Sequence, residues 1–345
     1  MLPVSVVGGF GSGASAMLFS FSPNGTIAYS TNGTGMYQNV WYDRTGKVVG
    51  TAGDAGDIGD VALSPDETQA AYHSREGMDD LWLFDLSRRI STRFTLGSHR
   101  DHQAVWSPDS RHIIWGVQQG GLQSLYIKAS NGAGSDLLLT NGEEGSFNVP
   151  DDWSPDGHFL IYSAGSLPSG AATNNGIGRK LWLLPLHPDR TTTDQPQVYI
   201  ENPLGLGHAK FSPDGRWVAS TIGTSGAENV YGSPFPLKEG HEDRWAVSSG
   251  GGYQPLWRRD GKELFYLSAD SKVMSVDVNT TSATFQAATP KPLFTVRIAG
   301  GPSAAPTHRW DVSHDGQRFL VTTALDVMQS PPINVVTNWE SALKR

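Results

Sequence analysis

The stretch DWSPDGHFLIY, residues 152–162, joins a Ser-Pro-Asp-Gly turn to a short run of β-prone residues. The same pattern, an aromatic or apolar residue followed by a turn and a strand, occurs seven times along the chain. The copies are FSPNGTIAYS from Phe21, LSPDETQAAY from Leu63, WSPDSRHIIW from Trp106, WSPDGHFLIY from Trp153, FSPDGRWVAS from Phe211, WRRDGKELFY from Trp257 and VSHDGQRFLV from Val312. Successive copies are 42, 43, 47, 58, 46 and 55 residues apart. A repeat of this length, with strands around a fixed turn, predicts a β-propeller.

The turn has a mechanical reason to recur. Proline presets the backbone angle, Asp bonds back to nearby amides, and Gly takes the position with positive φ. We therefore interpret the repeated Asp residues as turn residues rather than calcium ligands. The pattern lacks its usual Gly or Pro at four positions, where we expect altered turns rather than altered function: Glu67, Ser110, Arg259 and His314.

Each repeat divides into four short strands, so we predict an all-β, seven-bladed β-propeller of four-stranded antiparallel blades, with a six-bladed ring as the alternative. The first blade is assigned the strands LFSF, TIAYST, NVWYD and KVVGT. The last repeat supplies RWDVS, RFLVTT and INVVTNW, and its fourth strand must come from elsewhere. We predict that PVSVV, residues 3–7, completes this blade and closes the ring, which removes an exposed sheet edge. The repeat fills the chain, so residues 1–345 are predicted to form a single domain.

Composition excludes several classes of protein. The net charge of -8, without a basic stripe, argues against a nucleic-acid partner. The absence of cysteine excludes disulfides, thiolate zinc sites and a cysteine nucleophile. No apolar run approaches the 18 or more residues of a membrane span, although a membrane anchor elsewhere in a longer protein is compatible with this. We expect a monomer.

The motifs resemble the TolB-like, WD40-like β-propeller repeat family over the whole chain. They are most similar to the propeller domains that follow the kinase domain in eukaryotic-like serine/threonine kinases of acidobacteria and related bacteria. The stretches that carry the resemblance are FSFSPNGTIAY from Phe19, VWYDRTGKVVG from Val40, DWSPDGHFLIY from Asp152, FSPDGRWVAS from Phe211, GGYQPLWRRDGKELFYLS from Gly251 and PINVVTNWESALKR from Pro332. The resemblance implies an extracytoplasmic sensor, periplasmic or at the cell surface. Fold-level likeness names no ligand.

In a propeller the first strand of each blade lines the channel, and the loop before it opens at one rim. Residues two to five positions before each motif Ser should therefore converge across blades. The polar residues there, our predicted ligand-binding set, are Asp60, His102, Asp152, His208, Lys210, Gln254, His308, Arg309 and Asp311. Such a ring suits a polar ligand, a carboxylate or a sugar. The other interpretation is a water-filled channel whose polar lining has no further role.

We predict no metal and no cofactor. The channel histidines come from three separate blades without a local ligand spacing such as HExxH. The acidic loop DAGDIGD, residues 54–60, lacks the calcium-loop pattern and is interpreted as a solvated loop.

No enzyme motif is present: the chain has no Gly-rich kinase loop, no HRD element and no GxSxG. The leading prediction is a non-catalytic propeller that binds a protein or a small polar ligand. The alternative is a polysaccharide lyase or glycoside hydrolase acting in the channel through His102, His208, Asp152 and Arg309. A scaffold without a small ligand would instead show an exposed apolar or aromatic face.

Overall fold

The described residues of the computed structural model form 27 β-strands, and every strand pair among them is antiparallel. The structure describes residues 18–22, 26–30, 36–76, 79–97, 99–142, 146–166, 178–187, 194–223, 227–236, 243–282, 284–302, 307–325 and 333–337. Within these ranges there is no helix, and hence none that could span a membrane. The all-β prediction is confirmed.

Most strands belong to six units, numbered I to VI, in which neighbouring strands are hydrogen-bonded. Unit I contains β5 (Ile58–Leu63), β6 (Gln69–Ser74), β7 (Asp80–Asp85) and β8 (Ile90–Arg93). Unit II contains β9 (Arg100–Trp106), β10 (His112–Gln119), β11 (Leu122–Ala129) and β12 (Leu137–Thr140). Unit III contains β13 (Ser146–Trp153), β14 (Phe159–Ser166), β15 (Gly178–Pro185) and the first part of β16 (Gln197–Phe211).

The long strand β16 crosses between units, because its first part pairs mainly with β15 and its end pairs with the next strand. Unit IV contains the end of β16, β17 (Trp217–Ile222), β18 (Asn229–Pro234) and β19 (Trp245–Ala246). Unit V contains β20 (Tyr253–Trp257), β21 (Glu263–Leu267), β22 (Lys272–Asn279), β23 (Gln286–Ala287) and β24 (Lys291–Thr295). Unit VI contains β25 (Trp310–Val312), β26 (Arg318–Ala324), β3 (Tyr37–Asp43) and β4 (Val48–Gly56). A three-stranded sheet contains β1 (Leu18–Ser22), β2 (Thr26–Ser30) and β27 (Ile333–Thr337).

The inner strands are buried on both faces, as strand β10 shows. Successive side chains of a strand point to opposite faces of the sheet. Ile113 accordingly packs in a cluster with Leu81 of unit I, whereas Ile114 packs in a cluster with Leu160 of unit III. Each unit therefore lies face to face against both neighbours, as sheets do when they stack.

Unit VI corrects the predicted strand partners. NVWYD and KVVGT do not join the strands of the first repeat; instead β3 pairs with β26 over seven residues, from Arg318↔Asp43 to Ala324↔Tyr37. The described part of INVVTNW, residues 333–337, is not in unit VI; as strand β27 it pairs with β2. The physical reason is burial: Trp41 fills the space between units VI and I in a cluster with Leu320 and Phe84.

The described residues form six units of four or five strands, one fewer than the seven blades predicted from the motif count. The predicted closing strand, residues 3–7, lies outside the described residues.

The first strands of the units contact one another in chain order, from β5 through β9, β13, β16 and β20 to β25. Strand β25 then contacts β5, so the series returns to its start. Two bonds cross this last junction: Val61 N donates to His308 O at 3.2 Å, and Leu63 N donates to Asp311 Oδ2 at 2.8 Å. The six first strands thus surround a common centre.

The motif turns have the predicted geometry. Ser154 Oγ donates to Asp156 Oδ1 at 2.6 Å, and Gly157 N donates to Ser154 O at 2.8 Å. Gly157 and Gly215 have φ of 81° and 67°, which confirms the positive φ that the motif requires of its Gly.

The altered turns expected at the four off-pattern residues do not occur. Glu67 and Ser110 replace Gly but keep φ of 54° and 60°. Their amides also make the 2.8 Å turn bonds, to Ser64 O and Ser107 O. The hydrogen bonds of the turn offset the cost of placing a non-glycine residue in the left-handed backbone conformation, which is of order 1–3 kcal/mol.

The same four residues instead connect units at the turn end of the molecule. His314 N donates to Glu67 Oε1, and Asp66 N donates to Ser110 Oγ at 3.1 Å. Arg259 Nη1 lies 2.8 Å from His314 Nδ1 and donates to the carbonyl of Pro65 at 2.8 Å. These contacts join units V, VI, I and II, so departures from the repeat occur where the units need specific partners.

Candidate functional site

The first strand of most units contains a β-bulge shortly before the motif turn, and the channel residues cluster there. In units I to V, the register between the first and second strands shifts about four residues before the motif Ser position. Gln103, His208 and Gln254 occupy equivalent positions and have φ of 48°, 54° and 52°. Non-glycine residues adopt this conformation at a cost, and bulges of this kind re-aim side chains and backbone groups. The bulges bring polar groups toward the common centre.

Several predicted site residues use their side chains to bond the backbone of an adjacent unit. Asp60 Oδ2 accepts from Gln103 N, and Gln254 Oε1 accepts from Arg309 N at 3.0 Å. Asp152 Oδ2 accepts from Phe211 N at 2.8 Å, and Asp311 Oδ2 accepts from Leu63 N at the same distance. These four side chains hold the junctions I–II, V–VI, III–IV and VI–I together.

The middle of the ring of first strands is filled by side chains. Gln103 Oε1 of unit II accepts from His308 N of unit VI at 3.0 Å, although unit I lies between them. The rings of His208 and His308 meet edge to face, with centroids 5.2 Å apart. Gln103, His208, Gln254 and His308 are at most 2% exposed. These four residues are therefore enclosed rather than placed at an open rim, whereas Arg309 is partly exposed.

His308 is a neutral imidazole in this centre. Burial, and next the positive charges of Lys210 and His208, lower the pKa of His308 well below its usual value. Neither ring nitrogen makes a hydrogen bond of good geometry among the described residues, although the backbone of Pro255 lies close enough to act on the pKa of His308. Ordered water is the ordinary partner for such groups.

Two carboxylates flank His73, a residue that the sequence analysis did not select. Its Nδ1 lies 3.5 Å from Asp60 Oδ1 and its Nε2 lies 3.7 Å from Asp79 Oδ1. These distances exceed those of good hydrogen bonds, so the attraction is mainly ionic. Burial alone would lower its pKa, but the flanking carboxylates raise the pKa of His73 to about 9. Burial would likewise raise the pKa of Asp60, but His73 holds it below its usual value.

We expect the pH dependence of stability to identify this ion pair. A pKa raised from 6.5 to about 9 stabilises the folded protein fully below pH 6.5, and the stabilisation is lost as the pH rises through about 9. The difference in unfolding free energy between the wild type and His73→Gln should therefore shrink over this range, by at most about 3 kcal/mol. Urea unfolding at a series of pH values measures it. The control His158→Gln removes an exposed histidine, and a constant difference for His73→Gln would contradict the pairing.

A second set of carboxyl groups surrounds Lys210. Its Nζ donates to Asp151 O at 2.6 Å and lies 3.7 Å from Asp152 Oδ1. Asp151, also missed from the sequence, is fully buried, accepts from Ser163 Oγ and accepts from Ala209 N at 3.2 Å. Burial raises the pKa of Asp151 to about 7. It likewise raises the pKa of Asp152 above its usual value and that of Asp311 to about 6. Burial thus brings the pKa values of Asp151 and Asp311 toward neutral pH.

Arg309 lies close to a second guanidinium. Its Nη1 donates to Ala299 O, and its Nε is buried without a partner among the described residues. Burial, and next the positive charge of Arg75, lower the pKa of Arg309. Arg75 in turn bonds Asp57 Oδ1 at 3.1 Å. The carboxylates of Asp60 and Asp57 oppose this effect on Arg309, so charges of both signs surround its guanidinium.

The predicted residues thus fall into three groups. Asp60 and His102 lie near His73. The charges of Asp60 and His73 both act on His102, and burial lowers the pKa of His102. Gln254, His208 and His308 fill the centre, with Arg309 bonded to Gln254. The third group is Asp152, Lys210 and Asp311, whose charges act on one another. Among the described residues no three His, Asp or Glu side chains are arranged to hold a metal ion.

His73 and Asp151 were missed because the sequence analysis examined polar residues of the first strands only, and it passed over the first of two adjacent Asp residues. The signal for His73 was the charged segment HSREGMDD, residues 73–80, which runs from the end of β6 to the start of β7.

No protein-family profile and no curated protein matches the chain in sequence. A protein described as a candidate TolB from Agrobacterium tumefaciens is 15% identical, with a TM-score of 0.58 over 85% of this chain and 99% of that chain. Hydrazine synthase of Kuenenia stuttgartiensis is 15% identical, with a TM-score of 0.56 over 93% of this chain and 92% of that chain. An oligogalacturonate lyase in complex with manganese is 13% identical, with a TM-score of 0.51 over 97% of this chain and 82% of that chain. At these identities the likeness concerns the fold alone, which is that of a β-propeller.

Proposed function

We propose that the chain is a single, non-catalytic β-propeller domain that binds a protein or a small polar ligand. In this proposal the domain is the extracytoplasmic sensor or interaction part of a bacterial signalling protein. The observation that carries it is the environment of Arg309, whose buried Nε lacks a partner among the described residues beside the guanidinium of Arg75. The sensor role is supported by the resemblance of the motifs to kinase-associated propellers.

Six blades form the ring in this proposal, and units I to VI are the blades. The cyclic contacts of the first strands support it, since β25 touches β5 directly. The pairing of β3 with β26 would close the ring by giving the last blade two strands from each end of the chain. Such closure protects sheet edges.

A binding role accounts for the chemistry of the centre better than catalysis does. A general acid or base must reach the proton that it transfers. Asp60, Asp152 and Asp311 instead accept hydrogen bonds from backbone amides of adjacent units. A guanidinium can offer two parallel donors to a carboxylate, so an anionic group is the ligand chemistry that Arg309 suits.

We expect Arg309→Ala to weaken the binding of an anionic sugar by about 1.5–3 kcal/mol, or roughly 10- to 150-fold in Kd. D-glucuronate is the probe, D-glucose is its neutral match, and thermal shift followed by calorimetry measures binding. The variant Arg88→Ala, at an exposed arginine, should bind as the wild type does. Equal binding of both sugars, or no loss in Arg309→Ala, would contradict the assigned role. Binding of neither sugar would leave a protein as the ligand, to be sought with the full-length signalling protein.

A lyase or hydrolase in the channel is the second candidate, and the carboxyl groups around Lys210 favour it. Burial places the pKa of Asp151 at about 7 and that of Asp311 at about 6, where a group can both take up and release a proton. One structural neighbour is an oligogalacturonate lyase. Incubation with oligogalacturonate tests this function through the absorbance of unsaturated products. Product formation that is lost in Asp152→Asn would replace the binding proposal.

A further inference from the structure

Three carboxyl groups and one ammonium group form a cluster near the centre of the ring, here called the Lys210 cluster. Asp151 and Asp152 are adjacent on β13 of unit III, Lys210 lies on the end of β16 in unit IV, and Asp311 lies on β25 of unit VI. The charge of Lys210 acts on all three carboxyl groups, and the charge of Asp152 acts on the other two. The cluster therefore connects unit VI with units III and IV.

The charges of the Lys210 cluster do not balance when every group is ionised, because one ammonium faces three carboxylates. The nearest imidazoles are those of His208 and His308. Burial, and next the positive charges of Lys210 and His208, lower the pKa of His308, so this imidazole adds no compensating charge. Carboxylates that repel one another in a partly desolvated place hold protons more strongly than carboxylates in water. Bound protons would cancel the excess of negative charge.

Protons from the solvent have access to the cluster. Asp151 is fully buried, but the side chain of Asp152 is 25% exposed and that of Lys210 is 17% exposed. Asp311 is partly exposed as well. A proton can therefore pass between the solvent and these carboxyl groups while the domain stays folded.

The carboxyl groups of the cluster also hold two junctions between units. Asp152 Oδ2 accepts from Phe211 N at 2.8 Å at the junction III–IV. Asp311 Oδ2 accepts from Leu63 N at 2.8 Å at the junction VI–I. A change in the charge of the cluster consequently acts on both junctions at once.

We propose that the Lys210 cluster is a proton-binding site that stabilises the junctions III–IV and VI–I when it is protonated and weakens both when it ionises. The physical cause is repulsion among the carboxylates, which grows as protons leave. The domain would thereby respond to the pH of its surroundings. This use of the cluster rests on the extracytoplasmic location proposed above, where the pH follows that of the medium, whereas the proton binding itself does not.

Variants that remove one carboxyl group test the proton binding. Burial raises the pKa of Asp151 from 3.8 to about 7 and that of Asp311 from 3.8 to about 6, so the stabilisation is complete below pH 3.8 and is lost as the pH rises through these values. From about pH 5 to about pH 8, the unfolding equilibrium constant of the wild type should rise about 30- to 100-fold more than that of Asp151→Asn. The excess over Asp311→Asn should be about tenfold. Urea unfolding measures both, and Asp54→Asn, in an exposed loop, should behave as the wild type does.

Amide hydrogen exchange of the wild type tests the effect on the junctions and requires no variant. Rates are divided by those of the unfolded chain to give protection factors. From about pH 5 to about pH 8, protection of the Phe211 and Leu63 amides should fall at least about tenfold relative to that of Gln103. The Gln103 amide is the control, because Asp60 holds it at the junction I–II and, despite burial, His73 keeps the pKa of Asp60 below its usual value.

Two results would overturn the proposal. One is the same pH dependence of unfolding in the wild type, Asp151→Asn and Asp311→Asn. The other is protection of the Phe211 and Leu63 amides that changes no more than that of Gln103. Neither measurement uses a ligand, so a failure of sugar binding in the test of Arg309 is distinguishable from a failure of this proposal.

Discussion

Cysteines introduced by Asn39→Cys and Thr322→Cys are expected to form a disulfide that ties the two ends of the chain together. The two residues are directly opposite each other in the ladder between β3 and β26. Their side chains already touch, since Thr322 Oγ1 donates to Asn39 Oδ1 at 2.8 Å, and they are 283 residues apart in sequence. The natural chain has no cysteine, so no other disulfide can compete.

The oxidised variant should be more stable than its reduced form by about 3–5 kcal/mol, because the bond closes a very long loop in the unfolded chain. Urea unfolding of the same protein with and without reductant measures the difference. Comparing two redox states of one variant cancels the cost of losing the Asn39–Thr322 hydrogen bond.

The competing strand assignment makes the opposite prediction. If INVVTNW were the neighbour of β26, Asn39 would not face Thr322 and the two cysteines would stay reduced. A free-thiol assay after air oxidation of the double variant decides between the two assignments. Two free thiols in the folded protein would show that unit VI is assembled differently.

The sequence predicted the hairpins well because their determinants are local. A Ser-Pro-Asp-Gly turn fixes two adjacent strands, and the turn bonds of Ser154, Asp156 and Gly157 are those that the residue types require. The third and fourth strands carry no such signal. NVWYD and INVVTNW are equally β-prone, and either could add to β26; the choice depends on the burial of Trp41 against unit I, which no local pattern records.

In the candidate site, too, the positions of residues were predictable from local sequence, whereas their contacts were not. Alignment by the motif Ser located residues that meet at the centre, including His208, Gln254 and His308. It could not tell which side chains bond to the backbone of a neighbouring unit, because that depends on bulges and on the packing of one unit against the next. His73 lies on a second strand and is significant only because Asp60 and Asp79 flank it. Three-dimensional contact, rather than residue type, gives it a high pKa.

The off-pattern residues carry a further lesson. Glu67 and Arg259 were expected to disturb their turns, but the turns persist and the side chains connect units I, V and VI. A repeat fixes what all units share, whereas contacts between particular units require residues that break the repeat. Departures from the motif are therefore informative about assembly.

Gly316→Val is expected to destabilise the protein by roughly 2–6 kcal/mol, more than the same change at Gly215 or Gly50. Two effects add at this position. Gly316 has φ of 68°, a conformation that costs a β-branched residue about 1–3 kcal/mol. A Cβ would also lie 2.8 Å from Arg258 Cδ and 3.2 Å from Phe265 Cζ, which adds an overpacking cost of about 1–3 kcal/mol.

The neighbours of Gly316 have little freedom to move away. Phe265 is fully buried, and Arg258 is held by bonds to Asp260 Oδ1 at 2.7 Å and Glu263 Oε2 at 2.8 Å. The carbonyl of Gly316 also accepts from Arg44 Nη1 at 2.9 Å, so a backbone shift would break a contact between β-turns of unit VI. The clash must therefore be relieved at the expense of the core or of these ion pairs.

Two matched variants separate the effects. Gly215→Val shares the positive φ of 67°, but its nearest contact would be Pro155 Cδ at 4.0 Å, so it should lose only the conformational part, about 1–3 kcal/mol. Gly50→Val meets no atom within 4 Å and should change stability by about 0.5 kcal/mol or less. Urea unfolding of the three variants gives the order Gly316, Gly215, Gly50. Equal losses at Gly215 and Gly50 would contradict the assigned backbone conformation, and equal losses at Gly316 and Gly215 would contradict the close packing of the last motif turn on Arg258.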